Sequence, residues 1–425
     1  MPFPYNYGVN SEKHVTSTKG VAEMDSKTIE IIKSTVPVLE QHGEKITTVF
    51  YQQMFEAHPE LLNIFNHANQ KQGRQQKALA STVYAAAQYI DNLEAIVPVV
   101  TQIAHKHRSL GIKPEHYPIV GEHLLGAIKT VLGQAATDEI LDAWEQAYNT
   151  IADVFISVEA QMYQDAKNQH GGWDGFKSFV VDRKVVESEV ITSFYLKPED
   201  KQMLPSFEAG QYISVKLEIE EEKFTHIRQY SLSDAAGKDY YRISVKRETG
   251  NETPDGIVSN YLHEKMNEGD TIQVSAPAGD FYLDTGKDTP LVLLSGGVGL
   301  TPMMSMLNTV VDLQPERPVT FIHATGNGRV HALRDEVKRV AEKGNVNVVF
   351  FYDSPTEEDR ETQAFDIEGF VTKEWLRENV PHNDTSFYFC GPVPFMKSVN
   401  ASLKSLGVTD KNIHFEFFGP MGSLE

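Results

Sequence analysis

The spacing of hydrophobic positions changes character twice along the chain. From about residue 25 to 167 they recur at steps of three and four, with almost no alternation. Trp144, Tyr148, Ile151, Phe155, Glu159 and Met162 trace one face of a long helix, and Ile29, Ile32, Val36 and Leu39 trace another. His58-Pro59-Glu60 and Lys113-Pro114-Glu115 have the composition of helix starts. Gly171-Gly172 breaks the pattern. Short runs rich in β-branched and aromatic residues follow: Phe179-Val180-Val181, Val190 to Tyr195, Tyr212 to Val215 and Tyr240 to Val245. Strands this short and closely spaced predict a small antiparallel barrel. From about residue 289, the apolar runs Leu291 to Leu294, Val319 to Ile322, Val346 to Phe350 and Ser386 to Phe389 alternate with helical stretches. That rhythm predicts a doubly wound parallel sheet. The expected fold is multidomain: an all-α domain over 24–167, an antiparallel β-barrel over 174–286 and an α/β domain over 289–425, after an N-terminal extension of residues 1–23.

Length and charge narrow the function. The 425 residues suit two or three domains. Lys and Arg number 39 against 59 Asp and Glu, a net charge of −20. With no basic run, nucleic acid and anionic membrane surfaces are excluded as expected partners. The single cysteine, Cys390, excludes a disulfide framework and any multi-cysteine zinc or iron–sulfur site, and suggests a reducing, cytoplasmic home. Residues 1–23 are polar and lack the apolar core of a secretory signal. Thr289 to Val311 carries no charge, yet Ser295 to Gly299 and Pro302 interrupt it. It reads as buried strand, glycine loop and helix, so no membrane span is expected.

One histidine in the helical third is a candidate metal ligand. On the helix Val97 to Arg108, Val100, Ala104 and His107 share a face. His105 lies about 200° round from His107 and is expected to face outward. Glu159 stands on the apolar stripe between Phe155 and Met162, where an unpaired carboxylate would cost several kcal/mol. An imidazole donating to it would become a more basic ligand.

Phe65, Gln75, Leu79 and His107 stand at the spacing of a globin haem pocket. With Tyr51 and the domains that follow, the chain from about Met24 onward resembles a flavohaemoglobin. The resemblance implies one haem b with His107 as proximal iron ligand, and Tyr117 and Glu159 in a hydrogen-bonded relay with it. It also implies Tyr51 and Gln75 as the distal polar pair with Leu79 beside them, Phe65 wedged against the porphyrin, and Lys106 tuning the junction with the flavin.

Arg228-Gln229-Tyr230-Ser231 offers a guanidinium for a pyrophosphate, an aromatic ring for an isoalloxazine and a hydroxyl for the flavin's redox-active nitrogen. Downstream, Gly256 to Ser259 is expected to open a helix from Asn260 to Met266, with Ser259 as cap and phosphate contact. The pair resembles the FAD-binding domain of the ferredoxin-reductase superfamily, in which Tyr212 matches a further flavin contact.

Ser295 to Met303 follows a strand and precedes a helix. Gly297-Val298-Gly299-Leu300-Thr301-Pro302 resembles that superfamily's own G-x-G-x-x-P variant, with Pro302 preorganised in the first helical turn. Cys390-Gly391-Pro392 matches the loop lining the nicotinamide pocket; no base adjoins the thiol in sequence, so no nucleophile is expected. At the C-terminus, Glu416, Phe417, Phe418, Gly419 and Pro420 match the segment that closes over the flavin. Phe418 would cover the ring, and Glu416 would tune the flavin–haem junction. No arginine stands at His323-Ala324-Thr325 to hold a 2′-phosphate, and Arg329 lies four residues on, so NADH is favoured over NADPH.

The resemblance as a whole implies a monomeric nitric oxide dioxygenase. Electrons would pass from NAD(P)H through FAD to haem iron, where O2 oxidises NO to nitrate. A flavin is needed because hydride donors deliver two electrons and iron accepts one. The alternative from another class is a haem-based oxygen or NO sensor or carrier with an accessory flavin reductase.

Overall fold

The computed structural model describes residues 24–66, 70, 72–250, 255–419 and 424. The N-terminal extension lies outside the described residues. The all-α part contains α1 (Ser26–Ala57), α2 (Arg74–Gln88), α3 (Val97–Leu110), α4 (His116–Leu132) and α5 (Asp138–Asn168). Asp25 caps α1 by accepting from the backbone N–H groups of Lys27 and Thr28 at 2.9 and 3.0 Å, and Thr137 caps α5 through Ile140. The two predicted stripes meet inside: Ile32, Leu39, Trp144 and Ala147 are buried in one cluster. Lys113-Pro114-Glu115 does lead into α4. His58-Pro59-Glu60 instead ends α1 and opens a single 3-10 turn, Pro59–Asn63.

The barrel sheet orders its strands β4-β3-β6-β1-β2-β5, with neighbours antiparallel throughout. They are β1 (Phe176–Val186), β2 (Ile191–Pro198), β3 (Tyr212–Leu217), β4 (His226–Ser231), β5 (Tyr241–Lys246) and β6 (Thr271–Ser275). A bridge between Leu232 and Ile243 brings the edges β4 and β5 together. Phe179, Phe194, Ile213, Val215 and Ile243 fill the inside, all under 2% exposed. One helix, α6 (Ile257–Glu264), covers it. It starts three residues earlier than expected, with Gly256 as its N-cap.

The last domain is a parallel sheet in the order β10-β9-β8-β7-β11-β12. Its strands are β7 (Leu291–Gly296), β8 (Val319–Thr325), β9 (Val346–Tyr352), β10 (Ile367–Glu368), β11 (Ser386–Cys390) and β12 (Ile413–Glu416). Every residue of β7 and β11 is buried because successive side chains enter cores on opposite faces, Leu291 and Leu293 on one and Val292 and Leu294 on the other. The chain order reverses at β7, which pairs with β8 on one side and β11 on the other. Ligands of open α/β sheets bind in the crevice at such a switch point, beyond the strands' carboxyl ends. No helix among the described residues is long and apolar enough to cross a membrane.

Candidate functional site

The chemistry-bearing residues gather at one place in each of the three domains. In the all-α part, α3 presents His107 to α5. His107 Nδ1 lies 2.7 Å from Glu159 Oε1 and 3.3 Å from the Tyr117 hydroxyl, and Tyr117 donates to Glu159 at 2.7 Å. A carboxylate accepts, so the arrangement places the imidazole proton on Nδ1 and leaves Nε2 bare, without a hydrogen bond among the described residues. Glu159 is 3% exposed while the His107 side chain is 32% exposed. The relay is therefore buried on one side and open on the other, as an axial ligand requires. Burial, reinforced by Glu159, pushes the Tyr117 hydroxyl far above its usual range, so it holds its proton. Phe155 lies against the imidazole with ring centroids 5.9 Å apart.

Tyr51, on α1, is 6% exposed. Burial raises the Tyr51 pKa well above that of a free phenol, with the neighbouring Gln75 side chain opposing the shift. This hydroxyl is a permanent donor. Phe65 meets the Tyr51 ring edge-on at 5.8 Å, and Leu79 joins the same apolar cluster. Gln75 is only partly exposed, contrary to what its polar surroundings suggest. His105 does not face solvent: its Nδ1 accepts from the Gly279 N–H at 3.3 Å, on the barrel. The 200° separation from His107 holds, but the face opposite His107 is an interface.

In the barrel, Arg228 to Ser231 are the last four residues of β4. Burial lowers the pKa of Arg228, and no carboxylate pairs with it among the described residues. Among the described residues, its Nη1 donates to the Ile227 carbonyl at 2.8 Å. A half-buried guanidinium without a carboxylate partner among the described residues fits an anion such as a pyrophosphate. Tyr212 stands opposite Ser231 in the β3–β4 register. Its buried hydroxyl lacks a hydrogen-bond partner among the described residues, as a cofactor contact would. Its ring packs on Gly279 (φ +116°), where a Cβ would come within 3.0 Å of it. Tyr230 is half-buried against the barrel core. Ser259 is not the cap of α6. Its hydroxyl donates to the Gly256 carbonyl and accepts from the Glu248 N–H, both at 3.1 Å.

At the switch point, Ser295 of β7 pairs in register with Cys390 of β11. Gly297, Val298 and Gly299 turn into α7 (Leu300–Leu313), with Thr301 and Pro302 buried in its first turn. A Cβ on Gly299 would sit 2.1 Å from the Cys390 carbonyl oxygen, so the glycine loop lies directly on the Cys390-Gly391-Pro392 loop. That cradle fits a nicotinamide nucleotide between two strand ends. Burial raises the Cys390 thiol well above its usual range, leaving it protonated. Arg329 is exposed beyond the tip of β8.

Where the domains meet, Lys106 Nζ donates to the Gly419 carbonyl at 3.0 Å. Glu416, on β12, is pushed up to about 7 by burial, with Asp280 adding and Lys106 opposing. Phe417 joins an apolar cluster, whereas Phe418 is 47% exposed. Pro420 lies outside the described residues. Asp280 was not expected here, for nothing in Ala278-Gly279-Asp280-Phe281 marks it. Ser109 and Arg242, which bond across the domain boundaries, also carry no sequence signal; a residue's contact with another domain has no period.

Three family models match the chain in order: Globin over residues 48–155, Oxidoreductase FAD-binding domain over 178–282 and Oxidoreductase NAD-binding domain over 293–401. Among curated relatives, a flavohemoprotein of Bacillus thuringiensis subsp. konkukian is 60% identical over 403 residues, covering 95% of this chain and 100% of that one. The flavohemoprotein of Bacillus subtilis is 56% identical over 401 residues, covering 94% and 99%. Among solved structures, a flavohemoglobin from Malassezia yamatoensis with bound FAD and heme matches with TM-score 0.81 at 27% identity, over 94% of this chain and all of that one. The FAD/NAD-binding domain of a nitric oxide dioxygenase from Vibrio cholerae matches with TM-score 0.53 at 37% identity, over 57% of this chain and 99% of that one. A globin joined to an FAD- and NAD-binding oxidoreductase module, alike over nearly its whole length to proteins of one kind, belongs to the flavohaemoprotein family.

Proposed function

We propose that the chain is an NAD(P)H-dependent nitric oxide dioxygenase, acting on NO and O2 as a cytoplasmic monomer. The working divisions are globin 24–167, flavin barrel 174–286 and nicotinamide domain 289–425. The carrying observation is the His107–Glu159–Tyr117 relay, with bonds of 2.7, 2.7 and 3.3 Å, on the same chain as a two-cofactor reductase. When bound, flavin supplies the change from hydride to single electrons, and haem iron supplies one-electron chemistry with oxygen.

The protein's own part is to position and to polarise. His107 would hold the iron through Nε2, and Glu159 makes the imidazole a stronger electron donor by accepting a hydrogen bond from its Nδ1–H. Reversible oxygen carriage gains nothing from such a push, nor from a permanent reductase, which weighs against the sensor or carrier reading. Tyr51, kept protonated and steadied by Gln75, aims a donor at the distal side, while Phe65 and Leu79 shape that pocket. Arg228 would bind the flavin pyrophosphate. Tyr230, Ser231 and Tyr212 would contact its ring, with Gln229 between them and Gly256 and Ser259 at the neighbouring helix start. Gly297 to Pro302 and Cys390 to Pro392 would hold the nicotinamide nucleotide, and the exposed Phe418 would cover the flavin until it arrives. Lys106 and Glu416 would set the local charge at the haem–flavin junction. The lack of an arginine at the tip of β8 supports NADH over NADPH.

A nitric oxide electrode tests the reading. The holoprotein should consume NO only when NADH and O2 are both present, with nitrate as product. A preparation carrying both haem and flavin that leaves NO untouched overturns it.

A further inference from the structure

The residues flanking His107 on α3 all bond to the reductase module. His105 accepts from Gly279, Lys106 donates to Gly419, Arg108 donates to the Pro277 carbonyl, and Ser109 contacts the barrel sheet. Ser109 is the most deeply buried of the four, being 0% exposed. Its hydroxyl donates to the Lys106 carbonyl at 2.8 Å and accepts from Ser214 Oγ and Gln229 Nε2, each at 3.0 Å. A hydroxyl has one donor and two acceptor sites, and all three are used. Ser214 and Gln229 are direct cross-strand partners in the β3–β4 register, so they reach Ser109 from adjacent strands. Ser214 is also buried, and its N–H is held by Ser275 of β6 at 2.9 Å. Gln229 lies between Arg228 and Tyr230.

We propose that Ser109 is a positioning residue for electron transfer between the modules: its saturated hydroxyl pins the end of the His107 helix to the strands that present the flavin-binding residues. The inference rests on the proposed placement of haem at His107 and flavin at β4. The helix has few ways to roll while Ser109 stays bonded, because Ser214 and Gln229 approach from a rigid sheet. His107 lies two residues away, so its distance from the flavin strand follows the Ser109 position. Electron transfer falls steeply with distance, and a helix free to rock would spend time at longer separations.

The test compares Ser109→Ala, Ser214→Ala and the double variant as holoproteins. Three properties are read: NADH reduction of the flavin, subsequent reduction of the haem, and amide hydrogen exchange of the α3 segment. In Ser214→Ala, which loses one hydrogen bond to Ser109, haem reduction should slow by about three- to tenfold, and in Ser109→Ala, which loses three, by at least as much. Flavin reduction should stay within about twofold of wild type on the same scale. The α3 amides near residue 109 should exchange faster. The double variant should be no slower than the worse single, because both remove one shared bond. Unchanged haem reduction in both singles, additive losses, or slowed haem reduction without faster α3 exchange would each overturn the proposal. If wild-type haem is never reduced by NADH, the functional reading fails instead, and the pinning of α3 is then decided by exchange alone.

Discussion

Two of the seams between the three modules, globin–barrel and barrel–nicotinamide, are built from different chemistry. The globin–barrel seam is a row of modest hydrogen bonds along α3, most ending on backbone groups or hydroxyls, with Thr225 holding Asn63 at 2.9 and 3.0 Å beyond it. The barrel–nicotinamide seam centres on one buried ion pair. Arg242 meets Glu336 with both nitrogens, at 2.7 and 2.8 Å, and is itself 3% exposed. Asp234 adds bonds to Ser305 and Asn308 from the barrel side. Distributed bonds share the fixing of a helix in position and roll, so each single loss loosens it without freeing it. A bidentate ion pair fixes an angle between domains, but removing one partner strands a buried charge. The first design suits a gap that must stay constant, and the second suits two domains that must share one ligand.

The largest expected effect lies on the helix that carries the first seam. His107→Ala should lose haem and the Soret band completely, while His105→Ala, which removes only the Gly279 bond, should keep both. The reverse result in absorption spectra would break the assignment of the relay to His107. At the second seam, Arg242→Ala should cost about 3–5 kcal/mol, because Glu336 is left unpaired. Arg242→Met with Glu336→Met should cost less, since neither charge remains. Denaturant unfolding followed by nicotinamide-domain probes measures both, and equal losses would deny the ion pair its role. Haem content should change in neither.

Much of this contrast was hidden from the sequence. Element types and order were legible because period and burial go together: the stripe from Trp144 to Met162 is α5, and the continuous apolar runs are the two-sided β7 and β11. The relay was legible in part, since a glutamate on an apolar stripe is costly unless something meets it. The seams were not. His105 looked solvent-facing because a helical wheel records direction and not what lies there. Ser259 looked like a cap because Gly256, one residue before α6, leaves no side chain to show the start.

Two smaller effects sharpen the picture at each end. Tyr51→Phe removes a donor worth on the order of 1.5–3 kcal/mol to a charged acceptor, so O2 release from reduced protein should speed by roughly tenfold or more. Flavin reduction should not change, because Tyr51 touches neither seam. Stopped-flow dissociation traces check this, and an unchanged rate would make Tyr51 a packing residue. Glu416→Gln concerns the junction itself. The folded protein raises this carboxyl from 4.5 to about 7, so it favours the neutral form. Wild type should therefore lose stability as pH rises through that window, whereas the amide variant should lose less. Thermal midpoints at pH 5 and pH 8 compare the two; a wild type and variant with the same pH dependence would place Glu416 in an ionised setting.

The central claim is that electrons from the nicotinamide domain cross both seams within one molecule to the globin. Anaerobic stopped-flow mixing with NADH, following flavin and haem absorbance over a range of protein concentrations, tests it directly. Flavin should bleach first and haem reduction should follow, at a rate independent of protein concentration. A haem that stays oxidised while flavin is reduced, or a haem rate that rises in proportion to protein concentration, would contradict the account.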